Sequence, residues 1–268
     1  LYQRALIVAG GPLANFILAL FIFTFIYMFA GKDFTQAVID EVLKDSPAEV
    51  AGIQKNDVII EIDNTKVESI LDVSKLIAMS TSEFLDFKVS RYDQEIILKV
   101  KPNFVDSVDE LGNKLKKRMV GIKLSPYNNQ ITHKKLGPAQ ALLQSFNEVY
   151  FVTTSSLKYI GSMFTGAGDS SQLGGPIRIA KISGQVAEFG IIPFVSMMAY
   201  ISISLGLINL FPIPLLDGGH LMFYAFEKAL GRPLSQRTQE NFFRIGMFLL
   251  LSLMFFATFN DLKDLGLF

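Results

Sequence analysis

A single carboxylate, Asp217, follows a stretch of 28 residues without a formal charge, Phe189–Leu216. It sits in Asn209-Leu210-Phe211-Pro212-Ile213-Pro214-Leu215-Leu216-Asp217-Gly218-Gly219-His220. Pro212 and Pro214 each lack the N–H of a regular helix and clash with the preceding turn. The backbone must open there, and at membrane depth opened backbone is tolerated only inside protein or around a cavity. A carboxylate in that place calls for a cation or an ionic partner. A second reading makes Asp217-Gly218-Gly219 a turn that ends a helix among the lipid headgroups. Asn209 either satisfies carbonyls freed by the prolines or binds a substrate backbone. Gly10-Gly11-Pro12-Leu13-Ala14-Asn15 is a further candidate surface. Glycine permits close helix approach and an asparagine in the membrane can hydrogen-bond across helices, although plain packing accounts for both residues as well.

Histidine and cysteine are scarce. The chain holds no cysteine and two histidines, His133 and His220. Thiolate metal sites, thiol nucleophiles and disulfides are therefore excluded. His220 stands three residues after Asp217, but on a Gly-Gly segment that spacing does not by itself establish a metal pair. His133, in ITHKKLG, lies beside two lysines in an expected exposed loop.

The elements that must position these residues are set by where the charges fall. The 268 residues carry 25 Lys and Arg against 25 Asp and Glu, and 33 of these 50 charges lie between Lys32 and Lys135. The absence of a basic excess argues against a nucleic-acid partner. Ala5–Gly31 has no charge over 27 residues, and Ile245–Asn260 has none over 16, extendable through Asn241–Arg244 if the arginine snorkels. With Phe189–Leu216 these make three spans, since a bilayer core takes about 20 apolar residues. The first is too long for a secretory signal and ends in no small-residue cleavage site. Arg4 and the trio Lys228, Arg232 and Arg237 flank the spans on one side, which basic residues mark as cytoplasmic. The charged insert then faces outward.

Within the insert, Val38–Val42, Asp57–Ile62, Phe87–Ser90 and Ile96–Val100 have strand character. Ser69–Met79 places Ile70, Val73, Leu76 and Ile77 on one helical face. The pattern SPAEVAGIQKNDVIIEIDNTKV resembles a bacterial PDZ domain, with Asn56-Asp57 where that family has Gly-Asp. The resemblance implies binding of extended peptides by strand addition; a small soluble domain without a peptide ligand is the plain alternative. Farther on, Leu142, Phe146, Val149, Leu157, Ile160 and Phe164 recur at helical spacing. They suit a helix on the membrane surface or one packed on the soluble domain.

The fold class expected is a polytopic α-helical membrane protein with three visible spans and an inserted extracytoplasmic α/β PDZ domain. Its parts are a first span over 1–31, a PDZ-like domain over 32–104 and a strand and loop connector over 105–137. An amphipathic surface helix with the GGPIRIA segment follows over 138–188, then a second span over 189–217. A cytoplasmic loop over 218–240, a third span over 241–260 and a tail over 261–268 complete it.

Four segments, AGGPLANF, the PDZ pattern, LGGPIRIAKISGQVAEFG and SISLGLINLFPIPLLDGGHLMFYAFE, resemble the site-2 protease family of intramembrane zinc metalloproteases. The likeness is greatest to its bacterial regulator-of-sigma-E protease branch. It implies a bacterial inner-membrane enzyme that cuts single-pass membrane substrates, often anti-sigma factors, after another protease has trimmed them. The PDZ domain would receive a peptide or substrate terminus and gate access. It further implies Asp217 as a zinc ligand and Asn209, with Pro212 and Pro214, at the substrate strand. Gly11, Pro12 and Asn15 would pack beside the active site, and Gly218 and Gly219 would form the motif's turn.

The departure lies in H-E-x-x-H, two metal histidines around a glutamate base, which is absent from the sequence. No catalytic residue is therefore assigned. The chain is expected to be a fragment without that helix, unable alone to bind catalytic zinc tightly or to cleave. Two other readings stay open: a non-catalytic membrane PDZ adaptor, and a transporter-like protein binding an ion or solute at its broken helix.

Overall fold

Apolar runs make long helices at the two ends of the chain and alternating residues make a sheet between them. The computed structural model describes residues 1–108, 114–165 and 174–264. In chain order, α1 (Tyr2–Phe29), β1 (Lys32–Asp33), β2 (Ala37–Val42), α2 (Pro47–Val50), β3 (Val58–Ile62) and β4 (Thr65–Lys66) come first. Then follow α3 (Ile70–Met79), β5 (Leu85–Arg91), β6 (Gln94–Val100), β7 (Asn103–Val108), β8 (Lys114–Met119), β9 (Ile122–Pro126) and β10 (His133–Lys134). The rest is helical: α4 (Pro138–Phe164), α5 (Pro176–Glu188), α6 (Ile191–Leu210), α7 (Asp217–Leu230) and α8 (Gln236–Asp264). The chain forms two units, one of Leu1–Met28, Gly137–Thr154 and Ser170–Phe268, the other of Phe29–Leu136 and Ser155–Asp169.

In the helical unit, Tyr2–Phe29, Ile191–Leu210 and Gln236–Lys263 are long and apolar enough to cross a membrane. At about 1.5 Å per residue, even the 20 residues of α6 match a hydrocarbon layer of about 30 Å. Ala19 and Phe23 of α1, Val152 of α4, and Ala199 and Ile203 of α6 form one buried cluster. Thr24 donates to Ser145 Oγ at 3.1 Å, and the Tyr200 hydroxyl donates to Glu148 at 2.8 Å.

On α4 the packed face differs from the one the large apolar residues trace. Ala141, Ser145 and Val152 are buried, whereas Leu142, Phe146 and Leu157 are exposed. Small residues allow the helices to approach, which leaves the bulky stripe on the outside. The Phe164 side chain lies outside the described residues, as does Leu173 before the Gly174-Gly175-Pro176 turn.

The other unit is built on an antiparallel sheet of order β6-β5-β3-β2-β9, with β4 paired to β3. Ser69 caps α3 by accepting from Asp72 N, while the Asp72 carboxylate accepts from Ser69 N, a capping box. Val73, Leu76 and Ile77 are buried, as the helical spacing requires. Asn56 has φ 71°, a left-handed conformation that asparagine tolerates, so it can stand in the turn where the PDZ pattern has glycine. Next to it Asp57 is fully buried and bound by Arg91 through Nε at 2.7 Å and Nη2 at 2.8 Å.

The expected strand and loop connector over 105–137 holds strands of two sheets. β7 and β8 form a separate antiparallel two-stranded sheet, and β9 is an edge strand of the main sheet, paired with β2 from Ala37↔Pro126 to Val42↔Ile122. The expected loop over 218–240 likewise begins with a helix, α7, and α8 starts at Gln236, before the expected boundary of the third span. Asp261, the first residue of the expected tail, lies within α8 and is buried.

Candidate active site

The prolines open the chain where α6 ends. Phe211 N–H still reaches Ile208 O at 3.0 Å, then Ile213 N–H turns back to Phe211 O at 2.7 Å and Leu216 N–H to Ile213 O at 3.0 Å. Leu215 has φ 91°, an outlier for a bulky side chain. Strain of this kind persists only where the surroundings over-determine it. Here they do: a Cβ on Gly218 would collide with the carbonyls of Leu210 and Phe211, and one on Gly219 with Ile213 O. From α8, Gly246 lies against Pro214 so closely that a Cβ would strike its carbonyl. Pro214 is buried and Pro212 exposed.

This folded-back loop delivers Asp217 to the first position of α7, where a negative charge complements the helix dipole. The side chain is half-buried and, among the described residues, no group donates a hydrogen bond to its carboxylate. What faces it is Gly11 of α1, where an added Cβ would stand 2.9 Å from Asp217 Oδ2. Asp217 thus opens α7 and faces a second helix, α1.

The adjoining turn of α1 is seated on α6. At Gly206 a Cβ would meet Phe16 Cε2 at 3.0 Å, Pro12 O at 3.1 Å and Asn15 Cβ at 3.2 Å. One turn earlier on α6, the buried Ser202 hydroxyl donates to Asn15 O at 2.8 Å. Gly11, Pro12 and Asn15 thus meet Asp217, Gly206 and Ser202. Gly206 and Ser202 are absent from the sequence-derived candidates, although their four-residue spacing in an apolar helix is a signal of close helix approach.

Asn209 is half-buried and makes no hydrogen bond among the described residues. Its side chain does not repair the carbonyls freed by the prolines; that of Ile208 accepts from Phe211 N–H instead. His220 is placed against Phe223 and Phe243, with ring centroids 6.3 and 5.6 Å away. His133 belongs to the other unit, where it contacts Ala30 O at 2.7 Å. Among the described residues no three His, Cys, Asp or Glu side chains cluster as metal ligands. One carboxylate is what the present residues offer, so by themselves they do not fit a catalytic zinc.

In the sheet unit, β9 ends the sheet order and α3 lies alongside it. The turn into β9 is fixed by Ala48 N–H to Val120 O at 2.8 Å and Leu43 N–H to Gly121 O at 2.9 Å. Beside the end of α3, Arg118 donates to the carbonyls of Ser80 and Ser82. Burial pushes its guanidinium below the ordinary arginine value, and Asp63 opposes this.

The profile described as Peptidase family M50 matches residues 1–253. A protein of Agrobacterium fabrum named "Putative zinc metalloprotease Atu1380" is 40% identical over 99% of this chain and 70% of its own length. "Metalloprotease MmpA" of Caulobacter vibrioides is 31% identical over 100% of this chain and 70% of its own length. Among solved structures, the PDZ domain of an SdrC-like protein from Listeria monocytogenes is similar, at 20% identity and TM-score 0.27, covering 33% of this chain and 85% of that one.

Proposed function

Because the chain belongs to peptidase family M50, the site-2 protease family, we propose that it forms part of an intramembrane zinc metalloprotease cutting single-pass membrane substrates. The observation that carries this reading is the Asp217 carboxylate, held at a broken helix against Gly11 with no donor on it among the described residues. Asp217 is one zinc ligand; Asn209 and the Pro212–Pro214 segment receive the substrate strand. The remaining ligands and the general base come from outside these 268 residues, which contain no H-E-x-x-H. The chain alone therefore binds no catalytic zinc tightly and cleaves nothing.

The substrate class is the anti-sigma-factor type, and the location is the bacterial inner membrane with the sheet unit outside. That unit acts as a PDZ domain. A peptide or trimmed substrate terminus adds to the outer edge of β9 beside α3, main-chain bonds supplying affinity. The second reading is a membrane PDZ adaptor without catalysis, which keeps the peptide edge and dispenses with the zinc ligand.

One substitution separates the two. Asp217→Asn, in the protein as the cell makes it, should reduce cleavage of a membrane-anchored reporter about 100-fold or more while leaving its abundance in the membrane unchanged. Undiminished cleavage overturns the ligand assignment. Absence of cleavage in the unsubstituted protein, together with retained peptide binding, establishes the adaptor.

A further inference from the structure

We infer that Ser202 is a positioning residue: its hydroxyl, by binding the Asn15 carbonyl, sets the register of α1 on α6 and thereby places Gly11 against Asp217. Its bearing on cleavage rests on the proposed function; its bearing on geometry does not.

The contacts form a ladder between two helices. Asn15 and Gly11 are four residues apart on α1, and Ser202 and Gly206 are four apart on α6, so each pair occupies one face. Asn15 meets Ser202 at one rung; Pro12 and Asn15 meet Gly206 at the next; Gly11 meets Asp217 beyond the opened turn. The Gly206 rung is a van der Waals contact, which permits close approach without fixing rotation or sliding along the axis. The Ser202 rung is directional, since its Oγ lies 2.8 Å from one main-chain oxygen.

The environment adds to that direction. Ser202 is 5% exposed. In a span a hydroxyl without a partner finds no water, so its interhelical bond is retained. Many serines in helices bond their own i−4 carbonyl, as Ser204 does to Tyr200 O at 3.0 Å and Ser196 to Ile192 O at 2.9 Å. Ser202 instead crosses to α1. Pro12, inside α1, removes an N–H from the same turn and loosens it. A turn weakened in its own ladder is one whose position an outside bond can govern.

The test uses the absence of cysteine from these 268 residues, so that within them the engineered pair is the one that can cross-link. Gly11→Cys with Asp217→Cys reports the α1–Asp217 approach, and Thr24→Cys with Ser145→Cys reports α1–α4 packing elsewhere in the unit. The first pair is chosen because a Cβ on Gly11 would stand 3.7 Å from Asp217 Cγ, the second because Thr24 Oγ1 lies 3.1 Å from Ser145 Oγ. In membranes, Ser202→Ala should lower cross-linking of the first pair about three- to tenfold, the range lost with one hydrogen bond. The second pair should be unchanged, and Ser202→Thr, which keeps the hydroxyl, should restore the first. An unchanged first pair, an equal fall of both, no rescue by threonine, or no cross-linking of the first pair with Ser202 intact overturns the inference. Absence of cleavage by the unsubstituted protein would sink the protease reading, and cleavage retained by Asp217→Asn would sink the ligand assignment; either would leave this result standing.

Discussion

Asp217 and Gly11 meet so closely that a methyl group at position 11 would stand 2.9 Å from Oδ2 of the carboxylate. Contact at that distance is tighter than packed carbon and oxygen tolerate, so one partner must move. Asp217 is the first residue of α7 and its turn is braced by Gly218, Gly219 and Gly246, whose neighbours are backbone atoms. The carboxylate is thus the part that yields.

Gly11→Ala should therefore reduce cleavage about 10- to 100-fold, the scale of a misplacement near 1 Å. Gly10→Ala is the control, since its Cβ would meet nothing within 4 Å. Reporter cleavage by both variants at matched membrane abundance checks this. Equal activity of the two would show that the approach of α1 to Asp217 has no functional weight.

The buried Asp261 carboxylate supports a second expectation. It accepts from Gly175 N–H at 2.8 Å and Arg178 N–H at 3.0 Å, at the start of α5. The first N–H groups of a helix have no partner in the helix itself. Asp261→Ala leaves both unsatisfied and should cost about 1–3 kcal/mol. Hydrogen exchange should show amides 177–182 losing protection before those of α6; Asp261→Asn, which keeps one acceptor, should lose less.

The two contacts also separate what sequence makes legible from what it does not. Three long apolar helices follow from the length of the uncharged runs, and the α3 face from periodicity, because burial repeats with the geometry of the helix. Asp217 is legible because a charge after a long uncharged run is costly. Its facing of Gly11 is not, for nothing in either segment specifies which helix lies across the opened turn. Asp261 reads as part of a tail for the same reason: a carboxylate close to Lys263 looks solvated until its long-range partners, Gly175 and Arg178, are known. β9 is hidden because only five residues, IKLSP, carry it and its partner strand lies some 80 residues earlier.

Breaking a buried ion pair costs more than removing it whole. Asp57 has a side-chain exposure of 1% and Arg91 one of 18%. Arg91 also donates to Gly52 O at 2.8 Å, and Asp57 accepts from Gln54 N at 2.9 Å. Asp57 pushes the Arg91 guanidinium above its ordinary value, chiefly by the hydrogen bond. Arg91→Met strands the carboxylate and should destabilise the sheet unit by about 3–5 kcal/mol. Adding Asp57→Asn to Arg91→Met should recover part of the loss in thermal melts, and a double variant worse than the single would contradict the pairing.

Acid should act on a different pair. Lys101 lies 2.8 Å from Glu83, and its hydrogen bond, then its charge, holds the Glu83 carboxyl below the usual carboxylate range. A carboxyl depressed in the folded state contributes stability above its unfolded pKa and loses it as pH falls through the folded value. The parent should exceed Glu83→Gln in melting temperature at neutral pH by a small margin, since both partners are exposed. The margin should vanish in acid, as melts from neutral to strongly acidic pH would reveal; a margin that grew in acid would reverse the sign.

Gly246 joins folding to the site most directly. A Cβ there would collide with the Pro214 carbonyl, and behind Pro214 the chain is already turned through Leu215 at φ 91°. The obstacle is backbone, which cannot rotate away as a side-chain end would. Gly246→Ala must push α8 off the opened turn or displace Pro214 and, with it, Asp217. Either way it should lower both membrane abundance and cleavage. Gly184→Ala is the contrast, because its Cβ would meet nothing within 4 Å and alanine favours the α5 helix by about 1 kcal/mol. Protease sensitivity of the membrane-inserted variants separates the two: Gly246→Ala should be cut faster than the parent and Gly184→Ala no faster. A Gly246→Ala protein as resistant and active as the parent would mean that α8 does not brace the turn that presents Asp217.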